Sequence, residues 1–375
     1  MPLQADVLLL GPYAGNASYS IGNYFNFCRR DVRNKMTGWN VEALAPGSLR
    51  AFDNPIIAPT IRRAAWWANY VEWPLRLRHQ RGHLCHIVDQ GLAWYARFLP
   101  GQRCIATVHD LIAHLTCHGK LAFGTIPIRR KPLVWECVRQ LLRMEHLISA
   151  SRHTADSLMR EFEIPSERIT VVHNHLDESF RPLDSVDRAS ARHRWFGDAE
   201  YAVLHVGGPA AYKNRIGALR AFATLHADLS GARMFVVHGP LVPEESGFLK
   251  QSGVASAVNV LPRLSHAELI EVYGAADVFV FPSLYEGFGW PPLEAMACGC
   301  PVVSSTRASL AEVVGDAALT VNNPHDDRAL AFQMREILKN PVTARDLRAR
   351  GCRRAQLFKP AIAAARISEI YRRLL

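Results

Sequence analysis

The strongest chemical signal lies in one run, Val278-Phe-Val-Phe-Pro-Ser-Leu-Tyr-Glu-Gly-Phe-Gly-Trp-Pro-Pro-Leu-Glu-Ala-Met-Ala-Cys-Gly-Cys-Pro-Val-Val-Ser-Ser305. It reads as strand, glycine-bearing loop, helix and second strand. Gly287 and Gly289 let the backbone approach a ligand closely. Pro291 and Pro292 suit the first turn of a helix, where an N–H has no intrahelical partner. A loop that runs into a helix N-terminus offers N–H groups to a pyrophosphate. Two carboxylates bracket this loop: Glu286 before the helix, and Glu294 eight positions later, expected in its first turn. If the loop turns sharply both face one cleft, one toward a sugar's hydroxyls and the other toward a ribose.

Such a loop needs strands to carry it. Short apolar runs alternate with helical stretches over nearly the whole chain. Expected strands are Val7–Leu10, His86–Asp89, Arg103–His109, His146–Ser149 and Ile169–Val172. A second series follows at Ala202–Val206, Arg233–His238, Val258–Leu261, Val278–Phe281, Pro301–Ser304 and Leu319–Val321. This alternation predicts βαβ units and parallel sheets covered on both faces, an α/β fold. The series pauses at Phe180-Arg-Pro-Leu-Asp-Ser-Val-Asp-Arg188, which reads as a linker. The expected domains are therefore residues 1–185 and residues 186–358, followed by an amphipathic helix over 359–375. Ligands of doubly wound sheets bind at the carboxyl ends of the strands.

Composition narrows the class. The 375 residues are 49% hydrophobic and 21% charged, as in globular proteins and unlike disordered or collagenous ones. No apolar run approaches the ~20 residues that span a bilayer. The opening Met1–Pro12 stretch lacks a basic n-region and a cleavage site, so it reads as a first strand. Eight cysteines are scattered without a C-x-x-C pair, and Cys298 and Cys300 lie in an apolar stretch. Reduced thiols and a cytosolic location are expected. The net charge of +10 favours nucleic acid, nucleotide phosphates or an anionic membrane face as partner. Residues 61–81 interleave three tryptophans with five arginines and one glutamate. That pattern suits an interfacial membrane segment or a nucleic-acid surface.

The Glu286–Glu294 segment resembles the E-x7-E signature of the family 4 retaining glycosyltransferases, which have the GT-B fold of two facing Rossmann-like domains with a cleft between them. The resemblance implies that Glu286 lies by the donor sugar's anomeric region and that Glu294 hydrogen-bonds the nucleotide ribose. Backbone amides of Gly287, Phe288 and Gly289 would hold sugar hydroxyls and phosphate. Val206-Gly-Gly-Pro-Ala-Ala-Tyr-Lys-Asn214 is similar to the family's strand-loop segment containing Gly207 and Gly208, in which a lysine, here Lys213, contacts the donor diphosphate. Relatives carry an arginine in this loop too. Here Gly208 and Tyr212 occupy the plausible places, and Arg215 comes just after. In the segment Leu261–Asp277 the backbone near Arg263 would read the base.

Similarity continues through the first half. Thr107-Val-His-Asp-Leu111 ends a strand where relatives place a histidine near the donor sugar, so His109 is the candidate, oriented by Asp110. The loop with Gly11, Gly15 and Asn16 follows the first strand, where relatives admit acceptor and phosphate. Segments 147–156 and 169–182 match the family's late N-domain pattern, and the C-terminal helix would return to the N-terminal, acceptor-binding domain.

The implied activity is transfer of a hexose, mannose or glucose type, from a nucleotide diphosphate sugar to a glycan or lipid-linked acceptor. With no D-x-D, neither metal nor cofactor is expected, and Lys213 with the helix N-terminus would replace the cation electrostatically. Retention would be front-face, with domain closure excluding water. Glu286, Lys213 and His109 form the expected catalytic set. The cytosol is the expected compartment, with a peripheral seat on the inner face of the cytoplasmic membrane as a second expectation. Rival readings are a GT-B nucleotide-sugar epimerase, a phosphorylase, and a basic nucleic-acid- or membrane-binding protein; the E-x7-E loop disfavours the first, and nucleic acid is not an expected partner of the enzyme.

Overall fold

The computed structural model describes residues 5–12, 19–46, 67–99 and 101–375. The chain divides into two compact units. One comprises Met1–Leu121, Thr125–His175 and Pro360–Leu375, the other Ala122–Gly124 and Leu176–Lys359.

The first unit is built on strands β1 (Ala5–Leu10), β2 (Val41–Leu44), β3 (Gly82–Ile87), β4 (Arg103–Val108), β5 (His146–Ser149) and β6 (Ile169–Val171). They form one sheet in the order β2-β1-β3-β4-β5-β6, with every pairing parallel. Leu8, Leu9 and Leu10 are fully buried on successive, opposite faces, which is why this strand reads as an unbroken apolar run. Strand β2 was not anticipated. It has four residues, includes Glu42 and lies at the sheet edge, so neither length nor period announces it.

The helix Pro360–Leu374 buries Ala363, Ala364, Ile367, Ile370 and Tyr371, a stripe with helical spacing, in the same core as Val7, Leu9 and Ile105. Tyr371 OH lies 2.5 Å from His86 Nδ1, and His86 Nε2 lies 2.8 Å from Thr107 Oγ1. The helix is thus joined to the first sheet through a buried imidazole, whose pKa burial lowers to about 3. The ring is neutral in the folded protein.

The second unit holds β7 (Tyr201–Val206), β8 (Ala232–Val237), β9 (Val258–Val260), β10 (Val278–Phe281), β11 (Val302–Ser305) and β12 (Leu319–Val321). Their order is β12-β11-β10-β7-β8-β9, again all parallel. Val203, Val236 and Val280 pack into one apolar layer, and Leu204, Phe235, Phe279 and Phe281 into another.

The expected cut at residue 185 falls ten residues beyond the observed division at His175 and Leu176. The Pro- and Asp-bearing segment is not a free linker. Leu176 N–H donates to Phe358 O at 2.8 Å, and Leu176 and Phe180 are buried in the second unit's core. Among the described residues, no helix is long and apolar enough to cross a membrane. All eight cysteines are unpaired, six of them buried.

Candidate active site

The second sheet reverses its order between β7 and β10, and doubly wound sheets bind ligands beyond the carboxyl ends at such a reversal. The loops that follow β7 and β10 therefore leave the sheet side by side. Tyr212 O accepts the Leu284 N–H at 2.7 Å. Ser283 Oγ lies 2.8 Å from both Tyr212 O and Glu286 Oε1, sharing one proton between them. This stitching brings together two residues distant in sequence: Lys213 Nζ donates to Glu286 Oε1 at 2.8 Å. Both are largely enclosed, with side chains 18% and 10% exposed, so the charges are screened less than on an open surface. Lys213 also stands over the rings of Tyr212 and Phe281, 5.2 Å from each centroid.

The glycine-bearing loop is held from beneath. Ser309 Oγ lies 2.8 Å from Glu286 O and 2.7 Å from Phe288 O. Gly289 takes φ +114°, and a Cβ there would stand 2.9 Å from Leu310, so no other residue fits without displacement. The helix Trp290–Ala297 starts directly after it, without a side-chain cap. Pro291 and Pro292 carry no N–H, which removes two donors expected of this helix N-terminus. The amides of Gly287 and Gly289 have no acceptor among the described residues. Anion-binding capacity thus resides more in the loop than in the helix.

Glu294 is the fifth helical residue, hence in the second turn and not the first. Its carboxyl group is buried and accepts from Tyr273 OH at 3.1 Å. Burial raises its pKa from 4.5 to about 7, against the opposing pull of the Tyr273 hydrogen bond and the Lys213 charge. Between these values the folded form keeps a proton that the unfolded chain releases. Stability from this group is therefore present below pH 4.5 and lost as pH rises through about 7. Glu294→Gln should raise Tm relative to the parent at pH 8, with the gain shrinking toward pH 4.5. Thermal melts across that range check this, and a pH-independent difference would refute it.

Arg215 follows the Lys213 loop but does not face an open crevice. Its guanidinium is buried and pairs bidentately with Glu245, at 2.8 Å from Nε and 2.6 Å from Nη2. Nη2 also donates to Pro240 O at 2.8 Å, and Nη1 approaches Gly207 O at 3.5 Å and Gly239 O at 3.4 Å. Arg215 thereby ties together the loops after β7 and β8. Arg263 is exposed. Its charge and that of Lys213 reinforce the lowering of the His238 pKa that burial begins, so both cations bear on one edge of the sheet.

In the first unit Gly11 follows β1, donates its N–H to Leu44 O at 2.9 Å and faces the Phe25 ring, which a Cβ would meet at 2.5 Å. Gly15 and Asn16 lie outside the described residues. His109 follows β4 and is buried. Its Nε2 lies 3.0 Å from Val88 O, which makes Nε2 the protonated nitrogen, and Nδ1 accepts from Asn174 Nδ2 at 3.4 Å. Burial lowers its pKa. Asp110, expected to orient the ring, accepts from the Ile112 N–H at 2.9 Å and bears on the imidazole through its charge.

Sequence reasoning missed Ser283, Ser309, Tyr273 and the Arg215–Glu245 pair. The serines stand in or beside the E-x7-E run, where hydroxyls near a glycine loop were the available signal. Tyr273 and Glu245 carry none, because their partners are chosen by packing.

Two family models match the chain: "Glycosyl transferases group 1" over residues 188–354 and "Glycosyltransferase Family 4" over residues 36–180. D-inositol 3-phosphate glycosyltransferase of Rhodococcus jostii (strain RHA1) is 30% identical over 314 residues, covering 79% of this chain and 68% of that protein. O-antigen chain mannosyltransferase B of Escherichia coli is 28% identical over 260 residues, 68% of this chain and 67% of that one. Other matched relatives are much longer, and the aligned region spans 28–29% of three of them. Among solved structures, Anabaena Alr3699/HepE in complex with UDP and glucose shares the fold, with a TM-score of 0.73 and 16% identity over 99% of this chain and 100% of that one.

Proposed function

The chain belongs to glycosyltransferase family 4, and on that premise we propose that it moves a hexose of the mannose or glucose type from a nucleotide diphosphate sugar to a glycan or lipid-linked acceptor, with retention and without a metal ion. The observation that carries the reading is the Lys213–Glu286 contact at the β7/β10 reversal, beside two glycine amides that have no acceptor among the described residues. The mannosyltransferase and inositol-phosphate glycosyltransferase among the relatives, and the UDP and glucose bound to the Anabaena protein, support the donor class.

Chemically, the departing diphosphate gains negative charge in the transition state, and a fixed ammonium and loop amides aimed at it stabilise that state more than the ground state. Lys213 would supply the ammonium, and Gly287 and Gly289 the amides. Glu286 would orient Lys213 and accept a hydroxyl of the sugar, with no covalent role. Glu294, with Tyr273 behind it, would accept from the ribose. The acceptor hydroxyl attacks on the face from which the diphosphate leaves, and a phosphate oxygen receives its proton. His109, its ring positioned by Val88 and Asn174 and its pKa lowered by burial, would contribute to the sugar's surroundings and not as a strong base.

A thermal-shift panel of UDP, GDP and ADP sugars, followed by a hydrolysis assay on each hit, tests the donor. At least one nucleotide sugar should raise Tm, and its turnover should survive a chelator. No shift with any of them would refute the donor class, and loss of turnover on chelation would refute metal independence.

The proposal includes the cytosol as compartment and an anionic membrane as docking surface. Trp66 lies outside the described residues, and Trp73 is buried. Trp67 is 57% exposed and Leu75 50%, close in sequence to Arg76, Arg78 and Arg81. Exposed apolar side chains interleaved with basic ones suit anionic headgroups. The protein should float with anionic vesicles at low salt and not with neutral ones; failure to float with anionic vesicles counts against docking.

A further inference from the structure

The opposite end of the second sheet carries a cavity that the proposed reaction does not use. Its volume is about 310 Å³, and Gly274 and Gly299, which shortly precede β10 and β11, form part of its wall. All strands of this sheet run parallel, so the cavity lies at their amino ends, while the Lys213 and Glu286 loops lie at their carboxyl ends. Three arginines line it: Arg188 from the helix Ser185–Phe196, and Arg345 and Arg348 from the helix Pro341–Ala355. Arg345 and Arg348 are three apart and so share a helix face.

The charges here do not balance. Asp277 is the nearby acid, and Arg192 holds it at 2.7 Å, while Arg188 reaches it only at 3.8 Å. Arg188 Nε donates to Gly274 O at 3.1 Å. Arg348 donates from Nη1 to Gly299 O at 3.2 Å, its one hydrogen bond among the described residues. Arg345 has no ion-pair or hydrogen-bond partner among them. Burial lowers the Arg348 pKa, and the Arg188 charge acts in the same direction, against the opposing pull of Cys300 and Asp277.

We propose that this cavity is a second anion site, selective for a phosphate group presented without a nucleobase. Guanidinium forks match the oxygens of a phosphate. The lining contains no aromatic side chain, so a base would find no ring to stack on. The volume is at the low end for small-ligand sites. Free phosphate and a sugar monophosphate share this chemistry, and the experiment separates them.

Isothermal titration of the full chain carrying Lys213→Ala, which weakens phosphate binding at the donor loop, would use inorganic phosphate in one arm and a hexose monophosphate in the other. Binding is expected in at least one arm, and the tighter arm names the source. Adding Arg345→Glu should weaken it at least tenfold. Arg345 is exposed and has no partner among the described residues, so it can be replaced without removing a contact of the fold. Arg348→Gln, which keeps a donor for Gly299 O, should act in the same direction. Absence of binding in both arms up to tens of millimolar, or unchanged affinity in both arginine variants, overturns the proposal.

Discussion

Lys213→Ala lowers kcat/KM for nucleotide-sugar turnover by about 10²–10³-fold, the range found when a preorganised charge-stabilising donor is removed, or about 3–4 kcal/mol. Two effects act together. In the proposed reaction the ammonium that would face the departing diphosphate is gone, and Glu286, which it pairs at 2.8 Å, would be left as a largely enclosed carboxylate beside the same diphosphate. Glu286→Ala should cost at least tenfold, or about 1.4 kcal/mol, because Lys213 then loses its anchor but keeps its charge. The Lys213→Ala/Glu286→Gln double variant should recover part of the single lysine loss, since the stranded carboxylate is removed. Steady-state kinetics separate the contributions. Loss of an interaction that strengthens in the transition state depresses kcat, whereas loss of one equal in both states raises KM alone. Near-wild-type turnover by both single variants would remove these residues from the site.

Arg215→Ala destabilises the protein by about 3–5 kcal/mol, the cost of leaving one member of a buried ion pair without its partner. Glu245 would remain buried with no compensating charge, and the carbonyls of Gly207, Gly239 and Pro240 would lose their shared donor. For a unit of this size that corresponds to a Tm lowered by roughly 6–20 °C. Arg215→Met combined with Glu245→Leu removes both charges and should recover much of the stability. Neither variant keeps the tie between the loops after β7 and β8, so donor KM should rise above the parent's in both. Recovery of both stability and donor affinity in the double variant would reduce Arg215 to a packing role.

The elements that carry the site were largely legible. Parallel strands buried on both faces must be almost wholly apolar, so Val278–Phe281 and Ala202–Val206 stood out. The loop between Glu286 and Trp290 was legible for a second local reason: a backbone that takes φ +114° at Gly289 needs glycine, and a helix that starts at Trp290 tolerates prolines in its first turn. Strand β2 was not, because an edge strand of four residues is fixed by its register against β1, Val7 opposite Val41, and not by its own composition.

Local residue patterns specify which segments form strands and which loop turns through glycine into a helix, because conformational preference and hydrophobic period act over a few residues. Tertiary structure alone decided which of these segments meet. Lys213 and Glu286 are 73 positions apart and touch because β7 and β10 are neighbours where the strand order reverses. Arg215 could be read as a free cation until packing enclosed it against Glu245. Glu294 could be read as an ordinary carboxylate until burial raised its pKa to about 7. Desolvation and pairing across a sheet depend on the positions of all the neighbours, and no local window of sequence contains them.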